Sequence, residues 1–151
     1  MGFELIAVLQ RVTSGNVTVN DRISGEIDKG LVILLGVMDN DDENDVDYLV
    51  KKASGLRIFD DENGKMNLSI KDVNGSALVV SQFTLCADTR KGRRPSFVHA
   101  AHPKKGNSLY EDFIKKLAYN NIPVQSGEFG TMMNVNIQND GPVTIVLDSK
   151  N

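Results

Sequence analysis

Two short stretches carry residue types able to act on an ester or to hold an anion. In VVSQFTLCADTRKGRRPSF, Val79 to Phe97, an apolar run turns polar at Ser81-Gln82, offers a second hydroxyl at Thr84 and ends among Arg90, Lys91, Arg93 and Arg94. A hydroxyl nucleophile needs a base within hydrogen-bond reach, usually a histidine oriented by a third group. His99 and His102 are the only histidines, and both sit in or beside the basic stretch, where phosphate contact or solvation explains them equally well. Their His-x-x-His spacing binds a metal only with further ligands. With one cysteine, Cys86, and no His-Glu-x-x-His pattern, neither a metal nor a cofactor is expected.

Ser81 and Thr84 differ by an odd number, so a regular strand sends their side chains to opposite faces. They share a pocket only if the strand ends or bulges near Gln82. Such a break frees the amides of Phe83 and Thr84, and adjacent free N–H groups are what an oxyanion hole requires. The plainer reading is a strand end capped by its own Ser and Thr. The second stretch is Asp140-Gly141-Pro142. A Gly-Pro bond adopts the cis form at modest cost and then aligns neighbouring carbonyls, whereas Asn-Asp-Gly also makes an ordinary hairpin turn.

The elements that must position these residues read mainly as strands. Apolar alternation marks Phe3 to Val12, Val17 to Val19 and Ile23 to Ile27, with turn residues between them, and Gly30 to Met38 reads as a fully buried strand. Val46, Leu49, Val50, Ala53 and Leu56 follow helical spacing behind the acidic run Asn40 to Asp47, whose carboxylates suit a helix N-terminus. Asp60 to Gly64 is a turn and Ala77 to Gln82 a strand. A second helix from about Asn107 to Asn120 carries Leu109, Phe113 and Leu117. Strands return at Met133 to Ile137 and Val143 to Leu147. The pattern predicts an α+β fold: a curved, barrel-like antiparallel sheet with two packed helices in a single domain, residues 1–151.

A chain of 151 residues with 40% hydrophobic content is long enough to bury about two-thirds of its extended surface without staples. The lone cysteine and the lack of a leader-like start argue for the cytoplasm, and no apolar run approaches the roughly 18 residues of a membrane span. The net charge is −3, yet residues 90–116 hold eight Lys/Arg against only Glu111 and Asp112. That local excess suits a phosphate backbone, or simply a solvated loop and helix face.

LQRVTSGNVTV, GLVILLGV, SQFTLCADTRKGRRPSF, LYEDFIKKL, GEFGTMM and NDGPVT, in that order over almost the whole chain, resemble the D-aminoacyl-tRNA deacylases. The resemblance implies a homodimeric hydrolase that cleaves the ester of D-aminoacyl-tRNA, and of glycyl-tRNA mischarged on tRNA-Ala, at the terminal adenosine. By the same resemblance Ser81, Gln82, Phe83 and Thr84 line the aminoacyl pocket. Gly141-Pro142 is the cis dipeptide that a partner subunit inserts there to exclude L side chains, and Arg11 braces it. Phe129, Gly130 and Met133 cradle the adenine, with Thr131 where the family carries alanine. Arg90, Lys91, Arg93 and Arg94 are expected to meet tRNA phosphates. Because no base accompanies Thr84, the expected chemistry is substrate-assisted: the amides of Phe83 and Thr84 hold the oxyanion and the ribose 2′-hydroxyl helps activate water. The rival readings are a nucleic-acid binding module without turnover and a deacylase of relaxed chirality.

Overall fold

A computed structural model describes residues 4–150; Phe3, the expected start of the first strand, lies outside them. The long strand β1 (Ile6–Val19) organises the sheet, pairing antiparallel with β2 (Arg22–Ile27) and with β3 (Gly30–Gly36). Beyond β3 the pairing turns parallel, to β6 (Ser76–Ser81) and then β7 (Val124–Ser126), while β8 (Asn134–Asp148) runs antiparallel to β1. The sheet is therefore mixed rather than wholly antiparallel. Each parallel step needs a crossover, supplied by α1 (Glu43–Gly55) before β6 and α2 (Pro103–Tyr119) before β7. A small hairpin, β4 (Phe59–Asp60) and β5 (Met66–Leu68), encloses the expected turn.

The unbroken apolar run of β3 follows from its having two dry faces. Leu31, Ile33 and Leu35 join the larger core together with Leu5, Ala7 and Leu9, whereas Val32 joins a second cluster with Val12, Val17, Val19, Ile27, Leu78 and Val80. In β1 the odd-numbered positions Ala7 and Leu9 face the larger core but Val17 and Val19 face the second cluster, and the register with β8 shifts between the two halves. The free side of β2 approaches β7, nearly closing the barrel. Ser24 Oγ donates to the Ser126 carbonyl at 3.2 Å, and a Cβ at Gly25 would lie 2.6 Å from that same oxygen, so only glycine permits the closure.

Both helices pack on the larger core. The Asp42 side chain accepts from the Asn44 amide and Asp45 reaches back to the Asp42 amide, so the acidic run does cap α1. α2 begins about one turn earlier than apolar spacing suggests. Pro103 stands in its first turn, where a missing N–H costs nothing, and that turn is too polar to register in a hydrophobic pattern. Its Phe113 and Leu117 are fully buried, each contributing ~1.5–3 kcal/mol.

Candidate active site

Strand β6 stops at Ser81, paired with Leu35 of β3, and the Gln82 amide makes one more bond to the Leu35 carbonyl at 2.8 Å. Gln82 (φ −139°, ψ 77°) then turns the chain into a single 3-10 turn, Phe83–Cys86. Leu85 donates to the Gln82 carbonyl at 3.1 Å and Ala87 to the Thr84 carbonyl at 3.2 Å. The amides of Phe83 and Thr84, first in the turn, have no carbonyl behind them and donate to no acceptor among the described residues. The strand therefore breaks at Gln82, leaving two adjacent unpaired donors. Gly36 lets the turn lie close against β3: a Cβ there would fall 3.0 Å from that of Leu85.

No side chain near these donors is equipped to attack. Thr84 Oγ1 accepts from Gln82 Nε2 at 2.5 Å, and no histidine or carboxylate among the described residues bonds to it. His99 Nε2 lies 3.8 Å from Asp88, and His102 is the exposed N-cap of α2. Burial pushes the Cys86 thiol up to about 11, which keeps it protonated. The Phe83 ring is 57% exposed and meets Phe97 edge-on at 5.0 Å.

The cationic loop is closed at its base by reciprocal Asp88–Ser96 backbone bonds of 2.7 and 2.9 Å. Arg90 folds back onto Asp88 in a bidentate pair, Nε–Oδ1 2.9 Å and Nη2–Oδ2 2.7 Å, and these bonds hold the Asp88 carboxyl well below its usual range. Lys91, Arg93 and Arg94 are exposed and form no ion pair among the described residues. The basic face is smaller than the sequence suggests. Lys116 is paired with Asp47 and Asp112, and Lys105 donates to the Asp39 carbonyl.

β6 and β7 are parallel, so the segment after β7 leaves the sheet at the same end as Ser81. The Gly127 amide donates to the Val79 carbonyl at 3.2 Å, and Gly130 (φ 77°) turns the chain through Phe129–Met133. Phe129 packs on Tyr110 of α2 at 5.8 Å, and the Met133 sulphur rests where a Cβ on Gly127 would stand. The Tyr110 hydroxyl donates toward the Val79 carbonyl at 3.0 Å and the Gly127 carbonyl at 3.4 Å. Sequence reasoning had no reason to single out Tyr110, whose position on the apolar stripe of α2 reads as core.

The second motif sits elsewhere in the chain. In the β1–β8 ladder Gln10 faces Thr144 and Val12 faces Asn139, so residues 140–143 bulge out opposite Arg11 alone. This is no hairpin turn, because both halves of β8 pair with the same strand. Arg11 is 7% exposed; its Nε donates to the Asp140 carbonyl at 3.1 Å and its Nη1 to the Ile58 carbonyl at 2.9 Å, with Asp60 and the Asp140 carboxylate each at 3.4 Å. Gly141 and Pro142 are exposed at the tip and joined by a cis peptide. Arg11 faces Leu31 and Ser81 faces Leu35, and the order β8-β1-β3-β6 puts the motifs three strands apart. At standard strand spacings that is roughly 15–20 Å. One chain brings Ser81–Thr84 and Phe129–Met133 to the same end but leaves Gly141-Pro142 away from them.

Residues 8–148 match the family model described as D-Tyr-tRNA(Tyr) deacylase. The chain belongs to this deacylase family. It is similar to proteins named D-aminoacyl-tRNA deacylase from Thermosipho melanesiensis, 58% identical over 145 residues covering 95% of this chain and 97% of the relative, and from Clostridioides difficile, 55% identical over 143 residues with 95% and 96% covered. Among solved structures, a c-Myc DNA unwinding element binding protein superposes with a TM-score of 0.89 at 39% identity, covering 94% of this chain and 97% of that one. A probable eukaryotic D-amino acid tRNA deacylase shares the fold, with a TM-score of 0.83 at 18% identity and 95% and 98% coverage. Membership in the deacylase family makes the chain a hydrolase acting on ester bonds. The described residues include no helix long and apolar enough to cross a membrane.

Proposed function

We propose that this cytoplasmic, single-domain protein hydrolyses the ester of D-aminoacyl-tRNA, and of glycyl-tRNA mischarged on tRNA-Ala, as a homodimer. The observation that carries the reading is the pair of unpaired amides at Phe83 and Thr84. A water molecule adds to the ester carbonyl, whose oxygen becomes an oxyanion held by the two N–H groups. The C–O bond to the terminal ribose then breaks, the ribose oxygen takes a proton, and a free amino acid and intact tRNA result. Thr84 has no base, so the adjacent 2′-hydroxyl of the substrate assists the proton transfer while Ser81, Gln82 and Thr84 position the ester. Phe129, Gly130 and Met133 receive the terminal adenine. Lys91, Arg93 and Arg94 meet phosphates, and Arg90 shapes their loop through Asp88.

Chirality is read by a second subunit. Gly141-Pro142 is exposed, braced by Arg11 and about three strands from the amides of its own chain, an arrangement that suits insertion into a partner's pocket. There its carbonyls hold the substrate amino group and leave no room for an L side chain. The test is ester loss from D-tyrosyl-tRNA and L-tyrosyl-tRNA at equal concentration. Rapid loss of the D ester alone is expected; protection of both, with binding retained, would make the protein a binding module. A D-aminoacyl-tRNA ending in 2′-deoxyadenosine is expected to turn over very poorly, and normal turnover would remove the hydroxyl from the mechanism.

A further inference from the structure

The two residues expected to flank the adenine, Phe129 and Met133, share one support. Tyr110 is 4% exposed on α2 and does two things at once. Its ring packs on Phe129 with centroids 5.8 Å apart. Its hydroxyl lies 3.0 Å from the Val79 carbonyl and 3.4 Å from that of Gly127, at the seam where β7 leaves β6. The Gly127 amide binds the same Val79 carbonyl at 3.2 Å, and Met133 sits against the bare Cα of Gly127, where a Cβ would fall 2.5 Å from its sulphur. Val79 itself lies two residues before Ser81. Burial pushes the phenol up to about 12, so it remains a donor across the working pH range.

We infer that Tyr110 is a positioning residue for the terminal adenosine, its hydroxyl fixing the strand seam that seats Met133 and its ring fixing Phe129. The inference rests on the deacylase reading and adds to it a residue that touches no substrate atom. A support of this kind sets the width of the cradle, so its loss weakens binding more than it slows the chemistry at Phe83 and Thr84, which belong to a different turn.

The test compares Tyr110→Phe with wild type in steady-state deacylation of D-tyrosyl-tRNA and in direct binding of a non-hydrolysable D-aminoacyl-adenosine analogue. Tyr110→Phe keeps the ring and the core. Its KM and its Kd for the analogue are expected to rise together by roughly three- to tenfold, the effect of losing one hydrogen bond, with kcat within about twofold. Gly127→Ala, which displaces Met133 while keeping the Tyr110 side chain, is expected to give the same split. Unchanged analogue binding in both variants, or a fall in kcat at constant KM, overturns the inference. Failure of wild type to hydrolyse the ester would count against the deacylase reading instead, while the binding measurement still judges Tyr110.

Discussion

At Phe83 the backbone, rather than a side chain, is the chemically distinctive group. Phe83→Pro removes one N–H at the first position of the 3-10 turn, where that N–H has no partner within the turn. Its kcat is expected to fall by about 10²–10³. Phe83→Ala, which deletes the ring but keeps the amide, is expected to lose far less, and so is Thr84→Ala. Single-turnover rates of the three variants separate amide from side chain; a Thr84→Ala enzyme as dead as Phe83→Pro would restore the hydroxyl as a chemical group.

Asp41 shows how a single buried carboxylate ties elements together. It accepts from the Leu5 amide at 2.8 Å and the Met38 amide at 2.6 Å, joining the chain before β1 to the end of β3. Glu4 and Asp45 bring further carboxylates within 4.8 Å. Burial, the largest cause, pushes Asp41 up from 3.8 to about 7, so between those values the native state holds a proton that the unfolded chain has released. Stability on this group's account therefore falls as pH rises from about 4 to 7 and is flat above. Asp41→Asn is expected to remove that slope. It is also expected to cost about 1–3 kcal/mol at pH 7.5, where the ionised carboxylate accepts from both backbone donors and an amide cannot. Urea denaturation at pH 5 and pH 7.5 measures both effects.

Among the elements, the loop between the Asp88–Ser96 bridges is a separate electrostatic unit. Arg93 and Arg94 project from it without acidic partners among the described residues, while Arg90 is consumed by Asp88. Arg93→Glu with Arg94→Glu is expected to weaken tRNA binding strongly and to flatten its salt dependence, because each phosphate contact contributes about one unit to the slope of log K against log salt. Binding of the small aminoacyl-adenosine analogue is expected to stay unchanged. A variant that loses both in equal measure would place the loop at the ester instead. Loop and 3-10 turn touch through Phe97 and Phe83, so the separation is a matter of charge, not of distance.

For the whole molecule, the homodimer proposed above would close the three-strand gap between Gly141-Pro142 and the Phe83–Thr84 amides with a second copy. Gly141 has φ +125°, and a Cβ there would lie 2.8 Å from Val143 Cγ2 and 3.0 Å from Arg11 Nη2. Gly141→Ala is therefore expected to displace the tip and abolish activity while the pocket of the same chain stays sound. Mixing it with Phe83→Pro, whose tip is sound and whose pocket is dead, is expected to restore about a quarter of wild-type activity: half the random dimers are mixed, and each has one complete site. Zero recovery after subunit exchange, verified by mass spectrometry of the mixed dimers, would confine each site to one chain.

Much of this was legible in the order of residues, because the signals were local. Two-sided burial is written into Leu31–Leu35 and the first helix into its acidic cap, whereas the odd spacing of Ser81 and Thr84 suits a broken strand and a simply capped strand end alike. The family resemblance supplied the family itself, which residues 8–148 match. What pattern could not supply were relations between distant segments. Val124–Ser126 is too short to announce a strand and exists because β6 offers a parallel edge. Asn139 to Pro142 looks like a hairpin turn until β1 pairs with both its flanks and forces a bulge opposite Arg11. Lys116 reads as a free cation until folding sets Asp47 beside it, and Tyr110 reads as core until its hydroxyl meets two carbonyls at a strand seam. Periodicity fixes which face a residue takes within its own element; only tertiary packing decides which charge, carbonyl or ring it meets there, since those partners lie tens of residues away and leave no mark on the local pattern.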